Sequence, residues 1–192
     1  MATINYALKE ISYKIVYYGC GMCGKTTNLQ VIHGLLPGSA KGNLVSLATQ
    51  QDRTLFFDFL PVDLGAINGL RARFQVYTTP GQSFYSATRK IVLRGADGVV
   101  FVVDSQWDRM RENLESWQSL VVDLTEHGYD PGKMPVVIQY NKRDLPNVAP
   151  VDYLQKLLNP EGRHWHSSIA ASGEGVVNTL KSISKSVLLR AV

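Results

Sequence analysis

Apolar and polar positions follow two rhythms along this chain, and the rhythms alternate. Ile11-Ser12-Tyr13-Lys14-Ile15-Val16-Tyr17-Tyr18 is rich in β-branched and aromatic residues and predicts a buried strand. Over 26–36 the apolar positions Leu29, Ile32, Leu35 and Leu36 recur at helical spacing until Pro37-Gly38 stops them. A long polar connection, 37–51, leads into an apolar strand over 52–60 and is a candidate functional loop. Residues 64–69 read as a turn and 70–77 alternate with period two. The pair predicts an antiparallel hairpin at a sheet edge, with Arg71, Arg73 and Gln75 on one face. A helical stretch is expected over 84–93. A continuous apolar run at 98–104 carries the signature of a strand buried on both faces, and 135–140 reads as another buried strand. Met110, Leu114, Trp117, Val121 and Leu124 set a helix between them, with the tryptophan in its apolar stripe. A short helix from Pro150, a weak strand over 164–169 and a last helix with Val176, Leu180, Ile183 and Val187 on one face complete the series. The alternation predicts a single α/β domain over 1–192, a mostly parallel six-stranded sheet with one antiparallel edge hairpin and helices on both faces. Ligands of such sheets sit at the carboxyl ends of the strands.

At the first of those ends stands Gly19-Cys20-Gly21-Met22-Cys23-Gly24-Lys25-Thr26, a full G-x-x-x-x-G-K-[ST] phosphate-binding loop between a strand and a helix. Its glycines permit backbone N–H groups, those of Gly21, Cys23 and Gly24 among them, to converge on phosphate oxygens. The helix starting near Lys25 adds its dipole. The Lys25 ammonium can reach the β/γ-phosphates, the Thr26 hydroxyl can take Mg²⁺, and Gly19 and Thr27 flank the nucleotide-contacting set.

Composition narrows the class. Hydrophobic residues make up 45 % of 192 and charged ones 19 %, which is globular, and no apolar run approaches a bilayer span. The start lacks a signal-peptide pattern and the ends carry no myristoylation or prenylation motif, so a cytoplasmic protein without a lipid anchor is expected. A net charge of +4 with scattered basic residues does not outline a nucleic-acid face. Cys20 and Cys23 are the only cysteines. They form a C-x-x-C, but no second pair completes a structural zinc site. Small-residue filling is the expectation for them. The alternative is oxidation of thiols made acidic by a helix N-terminus, which would block nucleotide binding. His164 and His166 alternate in a strand and read as surface positions.

A second motif selects the base. Asn141-Lys142-Arg143-Asp144 follows the late buried strand, where the Asp144 carboxylate can accept from the guanine N1–H and 2-amino group together; adenine offers no such pair. Asn141 and Lys142 belong to the same base-binding set.

With these motifs the chain resembles the Ras-like small GTPases of the P-loop NTPase class, and within them the bacterial MglA family of polarity switches. The resemblance rests on 14–19, Arg53-Thr54-Leu55-Phe56-Phe57-Asp58-Phe59-Leu60-Pro61, Pro80-Gly81-Gln82, Leu93-Arg94-Gly95 and 140–146. It implies GTP/GDP and Mg²⁺ as ligands. Thr54 joins Thr26 on the metal and Gly81 meets the γ-phosphate. Gln82 orients the attacking water, Arg53 neutralises transition-state charge from within the chain, and the Ala170 N–H meets guanine. Ras-like proteins usually carry aspartate where this chain has Thr78, so weaker metal binding is expected. The resemblance further implies slow turnover in a protein monomeric on its own. An MglB-like roadblock homodimer would serve as GTPase activator, docked near the switch loops and the hairpin. Polarity or motility effectors would read the switch loops, and the GTP state would be recruited to a cell pole. A GTP-binding module with incidental hydrolysis is the competing reading; a metabolic P-loop kinase lacks residues for an acceptor pocket.

Overall fold

A computed structural model describes residues 3–48, 56–67, 69–82 and 85–191. In chain order its strands and helices are β1 (Thr3–Asn5), β2 (Glu10–Tyr18), α1 (Lys25–Leu35), β3 (Val45–Ala48), β4 (Phe56–Ile67), β5 (Leu70–Thr78), α2 (Ser86–Leu93), β6 (Gly98–Asp104), α3 (Met110–Glu126), β7 (Val136–Asn141), α4 (Val151–Leu158), β8 (Trp165–Ser167) and α5 (Val176–Ala191). The sheet runs β3-β4-β5-β2-β6-β7-β8, with β1 paired to β2. From β5 across to β8 every neighbour is parallel; β3–β4, β4–β5 and β1–β2 are antiparallel.

The period of two explains why the inner strands read as unbroken apolar runs. Tyr13, Ile15 and Tyr17 of β2 and Val100 and Val102 of β6 pack under α1 and α5, against Leu29, Ile32, Leu180 and Ile183. Val16, Tyr18, Val99, Phe101 and Val103 point the other way, under α2, α3 and α4. Each fully buried side chain such as Ile183 or Phe101 contributes about 1.5–3 kcal/mol. Trp117 lies edge-on against Phe101, with ring centroids 4.9 Å apart, as its place in the apolar stripe anticipated. Trp107 and Trp165 sit at the rim on Tyr153 and Tyr140. One polar pair crosses the first layer: Gln139 of β7 and Asn28 of α1 exchange two amide hydrogen bonds of 2.8 and 2.9 Å, and Gln139 also donates to Thr179 Oγ1 of α5.

The expected six strands correspond to β2 and β4–β8. Eight are present among the described residues, because β1 and β3 are short edge strands of three and four residues whose pattern is too brief to stand out. The connection over 37–51 accordingly holds β3 and a 3-10 turn at Gly38–Ala40. The hairpin also extends further than the sequence suggests. Its turn follows Ile67, since a bulge between Asp63 and Ala66 absorbs Leu64 and Gly65 without ending β4.

Candidate functional site

The phosphate loop leaves β2 and enters α1 through a backbone that only certain residues tolerate. Gly24 has φ 104° and caps α1, and a Cβ there would stand 2.2 Å from Asn141 Nδ2. Met22, at φ 62°, carries its side chain out into solvent, 86 % exposed. Inside the loop the buried Lys25 Nζ donates to Gly19 O at 2.9 Å, Cys20 O at 2.6 Å and Cys23 Sγ at 3.5 Å. The lysine is thus stored on its own loop, aimed at the place where a phosphate would take over those bonds. Burial pushes the Cys23 thiol up, but the hydrogen bond from Cys20 and the Lys25 ammonium outweigh it and hold Cys23 below the usual thiol range. The hydrogen bond to Cys23, with burial, pushes Cys20 well up.

Asn141, at the carboxyl end of β7, ties three segments together. Its Nδ2 donates to Cys23 O at 2.8 Å, and its Oδ1 accepts from Ser168 Oγ at 3.0 Å and Ala170 N at 2.9 Å. The Ala170 N–H expected on the base is therefore spent on Asn141 in this structure; one amide oxygen facing two nearby donors draws both. Lys142, at φ 63°, reaches back to Asp104 Oδ2 at 2.6 Å. Asp144 is exposed and engages no partner among the described residues, leaving its carboxylate available.

A buried carboxylate faces the start of α1. Asp58 of β4, 8 % exposed, accepts from Thr26 Oγ1 at 2.7 Å and Thr78 Oγ1 at 3.0 Å on one oxygen, and from Ser46 Oγ at 2.7 Å on the other. Its N–H in turn donates to Thr78 Oγ1 at 2.8 Å. Thr78 and Thr26 thus meet on the one carboxylate of the neighbouring strand. Hydroxyl and carboxylate oxygens together suit a hard divalent cation such as Mg²⁺.

Beyond β5, Gly81 packs directly on the phosphate loop: a Cβ there would lie 2.3 Å from Cys20 C and Gly21 N. Gly21 leaves ordinary contact distance, 3.7 Å, between its missing Cβ and Gln82 Cγ. The Gln82 carbonyl accepts from Arg89 Nη1 at 2.8 Å, while its side chain is exposed at the mouth of the site. Gly21, Gly24, Lys25, Thr26, Thr27, Asp58, Thr78, Gly81 and Gln82 together line a cavity of about 560 Å³.

The structure thus gathers Gly19, Gly21, Cys23, Gly24, Lys25, Thr26, Thr27, Gly81 and Gln82 at one end of the sheet, with Asn141, Lys142, Asp144 and Ala170 beside them. Arg53 and Thr54 lie outside the described residues. Sequence reasoning missed Asp58, Ser168, and Asp104 as the seat of Lys142. The signal for Asp58 was present: it shares the inward face of β4 with Leu60 and Val62, where an acid needs a reason.

A parallel sheet covered on both faces, with a glycine loop feeding a helix and an N-K-x-D at a later strand end, defines a P-loop nucleotide-binding protein of the guanine type. The Ras family sequence model matches residues 40–188. The chain is 55 % identical to the mutual gliding-motility protein MglA of Myxococcus xanthus over 98 % of this chain and 96 % of that protein. It is 23 % identical to the Ras-related protein Rab-5B of Plasmodium falciparum, over 95 % of this chain and 81 % of that one. It is also 25 % identical to a Ras and EF-hand domain-containing protein of Xenopus tropicalis, of which it spans a quarter. The chain belongs to the Ras family and is a small GTPase. Members of that family bind guanine nucleotide and Mg²⁺.

Proposed function

We propose that the protein is a motility and polarity switch that binds GTP with Mg²⁺ and hydrolyses it slowly, accelerated by an MglB-like roadblock homodimer. The observation that carries this reading is the convergence of Lys25, Thr26, Asp58, Gly81 and Gln82 on one cavity, with the Asp144 carboxylate free alongside. The name of the Myxococcus relative supports the motility role.

Lys25 exchanges its loop carbonyls for the β- and γ-phosphate oxygens. Thr26 and Asp58, with Thr54, would hold Mg²⁺, which when bound would supply neutralisation of phosphate charge. Gly81 offers its N–H to the γ-phosphate, Gln82 orients the water, and Arg53 neutralises charge as the terminal bond breaks, lowering the barrier by several kcal/mol. GTP orders the loops around Thr54 and Gly81, hydrolysis releases them, and effectors read the difference. The roadblock partner docks against these loops and the β4–β5 hairpin, placing Arg53 and Gln82. The polarity role adds recruitment of the GTP state to a cell pole from a cytoplasmic pool.

Single-turnover GTP cleavage with Mg²⁺, alone and with the roadblock partner, tests this reading. Slow cleavage strongly accelerated by the partner is expected, and Arg53→Ala should abolish the acceleration while nucleotide binding stays within a few-fold. The exposed Gln82 side chain favours one second reading, a GTP-binding module. Tight GTP left intact under both conditions would establish it.

A further inference from the structure

The thiol groups of the two cysteines have no part in the switch just described, yet they sit within its phosphate loop. Both are free thiols and both are buried, Cys20 at 2 % and Cys23 at 0 % exposure. Both side chains pack into the same cluster of core residues, three positions apart in the chain. Cys23 immediately precedes the Gly24 cap of α1 and accepts from Lys25 Nζ at 3.5 Å, so helix terminus and ammonium both favour negative charge on this sulfur. Cys20 Sγ lies 3.4 Å from Asn113 Oδ1. Cys20 also lines a second cavity of about 370 Å³, shared with Gln82, Arg89 and Arg109, which adjoins the seat of the phosphates at Gly21, Gly81 and Gln82. That cavity brings a small neutral oxidant up to Cys20.

We propose that Cys20 and Cys23 form a redox-active dithiol, converted by a hydroperoxide into an intramolecular disulfide that closes the phosphate loop to nucleotide. The inference rests on the reading of this loop as the nucleotide seat. Cys20 gives up its proton to water and becomes the attacking thiolate. The Cys20 thiolate attacks one oxygen of hydrogen peroxide: an S–O bond forms, the O–O bond breaks, and hydroxide leaves to be protonated to water. Cys23 then gives up its proton and attacks the Cys20 sulfur. The S–S bond forms, the S–O bond breaks, and the departing hydroxide takes that proton as a second water. Two thiols lose two electrons and two protons, and one peroxide becomes two waters.

Bond formation draws Cys20 and Cys23 together across the loop. The far side cannot follow, because the Cys23 carbonyl is held by Asn141 and Gly81 already touches Cys20 and Gly21. The cradle of N–H groups therefore loses the spacing that fits a phosphate. The coupling runs in both directions. A bound phosphate draws Lys25 off Cys23 and holds the loop open, so nucleotide protects the thiols. Oxidation is favoured in the nucleotide-free state.

The test treats nucleotide-free protein with stoichiometric hydrogen peroxide and reads intact mass, alkylatable thiols and the affinity for a fluorescent GDP, with and without Mg²⁺ and excess GDP. A loss of two hydrogens and of both alkylatable thiols is expected, with GDP affinity reduced at least about tenfold and restored by dithiothreitol. Excess GDP with Mg²⁺ should slow the oxidation several-fold. Cys20→Ala, compared with its own GDP affinity before peroxide, should lose the reversible peroxide effect. Thiols that remain alkylatable, addition of oxygen without disulfide, equal oxidation with GDP present, or a disulfide that leaves GDP affinity unchanged would each overturn the proposal. If Cys20→Ala does not fold, the wild-type mass and affinity measurements decide alone. Failure of the reduced protein to bind GDP at all would sink the nucleotide reading instead, while the mass measurement would still decide whether the disulfide forms.

Discussion

Asp58 and Thr78 show how a charge can move between strands while its target stays fixed. Thr78 ends β5 where an acid is usual, and Asp58 on the adjacent β4 brings its carboxylate to the same Thr26 hydroxyl. The sequence anticipated weaker metal binding from Thr78; under the proposed function Asp58 would serve as a replacement donor. Asp58→Asn keeps the shape and removes the charge, so the Mg²⁺ concentration needed for half-maximal GTP cleavage should rise by about tenfold or more in a metal titration. A second residue-scale expectation concerns the base. Asp144→Ala removes the double acceptor, and the preference for GTP over ATP in competition binding should fall by on the order of 100-fold or more. The phosphate-loop and base motifs could be read because each places chemically required residue types at fixed spacing, whereas the roles expected of Arg53, Thr54, Gly81 and Gln82 came from the family resemblance alone. Ser168 and Asp104 were not legible, because serine and aspartate are common at strand ends and only the three-dimensional approach of Asn141 and Lys142 gives them a role.

At the scale of elements, period and length decided what could be read. β6 stood out as an unbroken apolar run, and β7 as one interrupted by Gln139, because helices cover both their faces, and α5 did so because its stripe sustains about three turns. β1 and β3 lie at edges, are three and four residues long, and contain no pattern that separates them from a loop. The hairpin turn was displaced because a bulge looks like a turn in sequence. What no pattern reveals is the polar tie between layers. Gln139, Asn28 and Thr179 join β7, α1 and α5 where water cannot reach. Gln139→Leu leaves the buried Asn28 amide short of its partner, and chemical denaturation should show a loss of about 1–3 kcal/mol. A companion change of Asn28 to leucine should recover part of that loss.

For the molecule as a whole, nucleotide acts as a component of the folded state. Lys25 and Asn141 are already held in place, so the phosphate loop and its tie to β7 gain free energy from a ligand without having to be ordered by it. GDP with Mg²⁺ at about 100 times its Kd should stabilise the fold by about 2.7 kcal/mol, which for a chain of this length raises Tm by roughly 5–10 °C in a thermal scan. ADP with Mg²⁺ at the same concentration should leave Tm nearly unchanged. The edge-on seat of Trp117 against Phe101, with Trp107 and Trp165 at the rim, has an optical consequence for such work. No tryptophan lines the phosphate cavity. Ultraviolet emission from the native protein therefore reports the parting of α3 from the sheet on unfolding, while gain or loss of the terminal phosphate passes in the dark unless the nucleotide carries its own fluorophore.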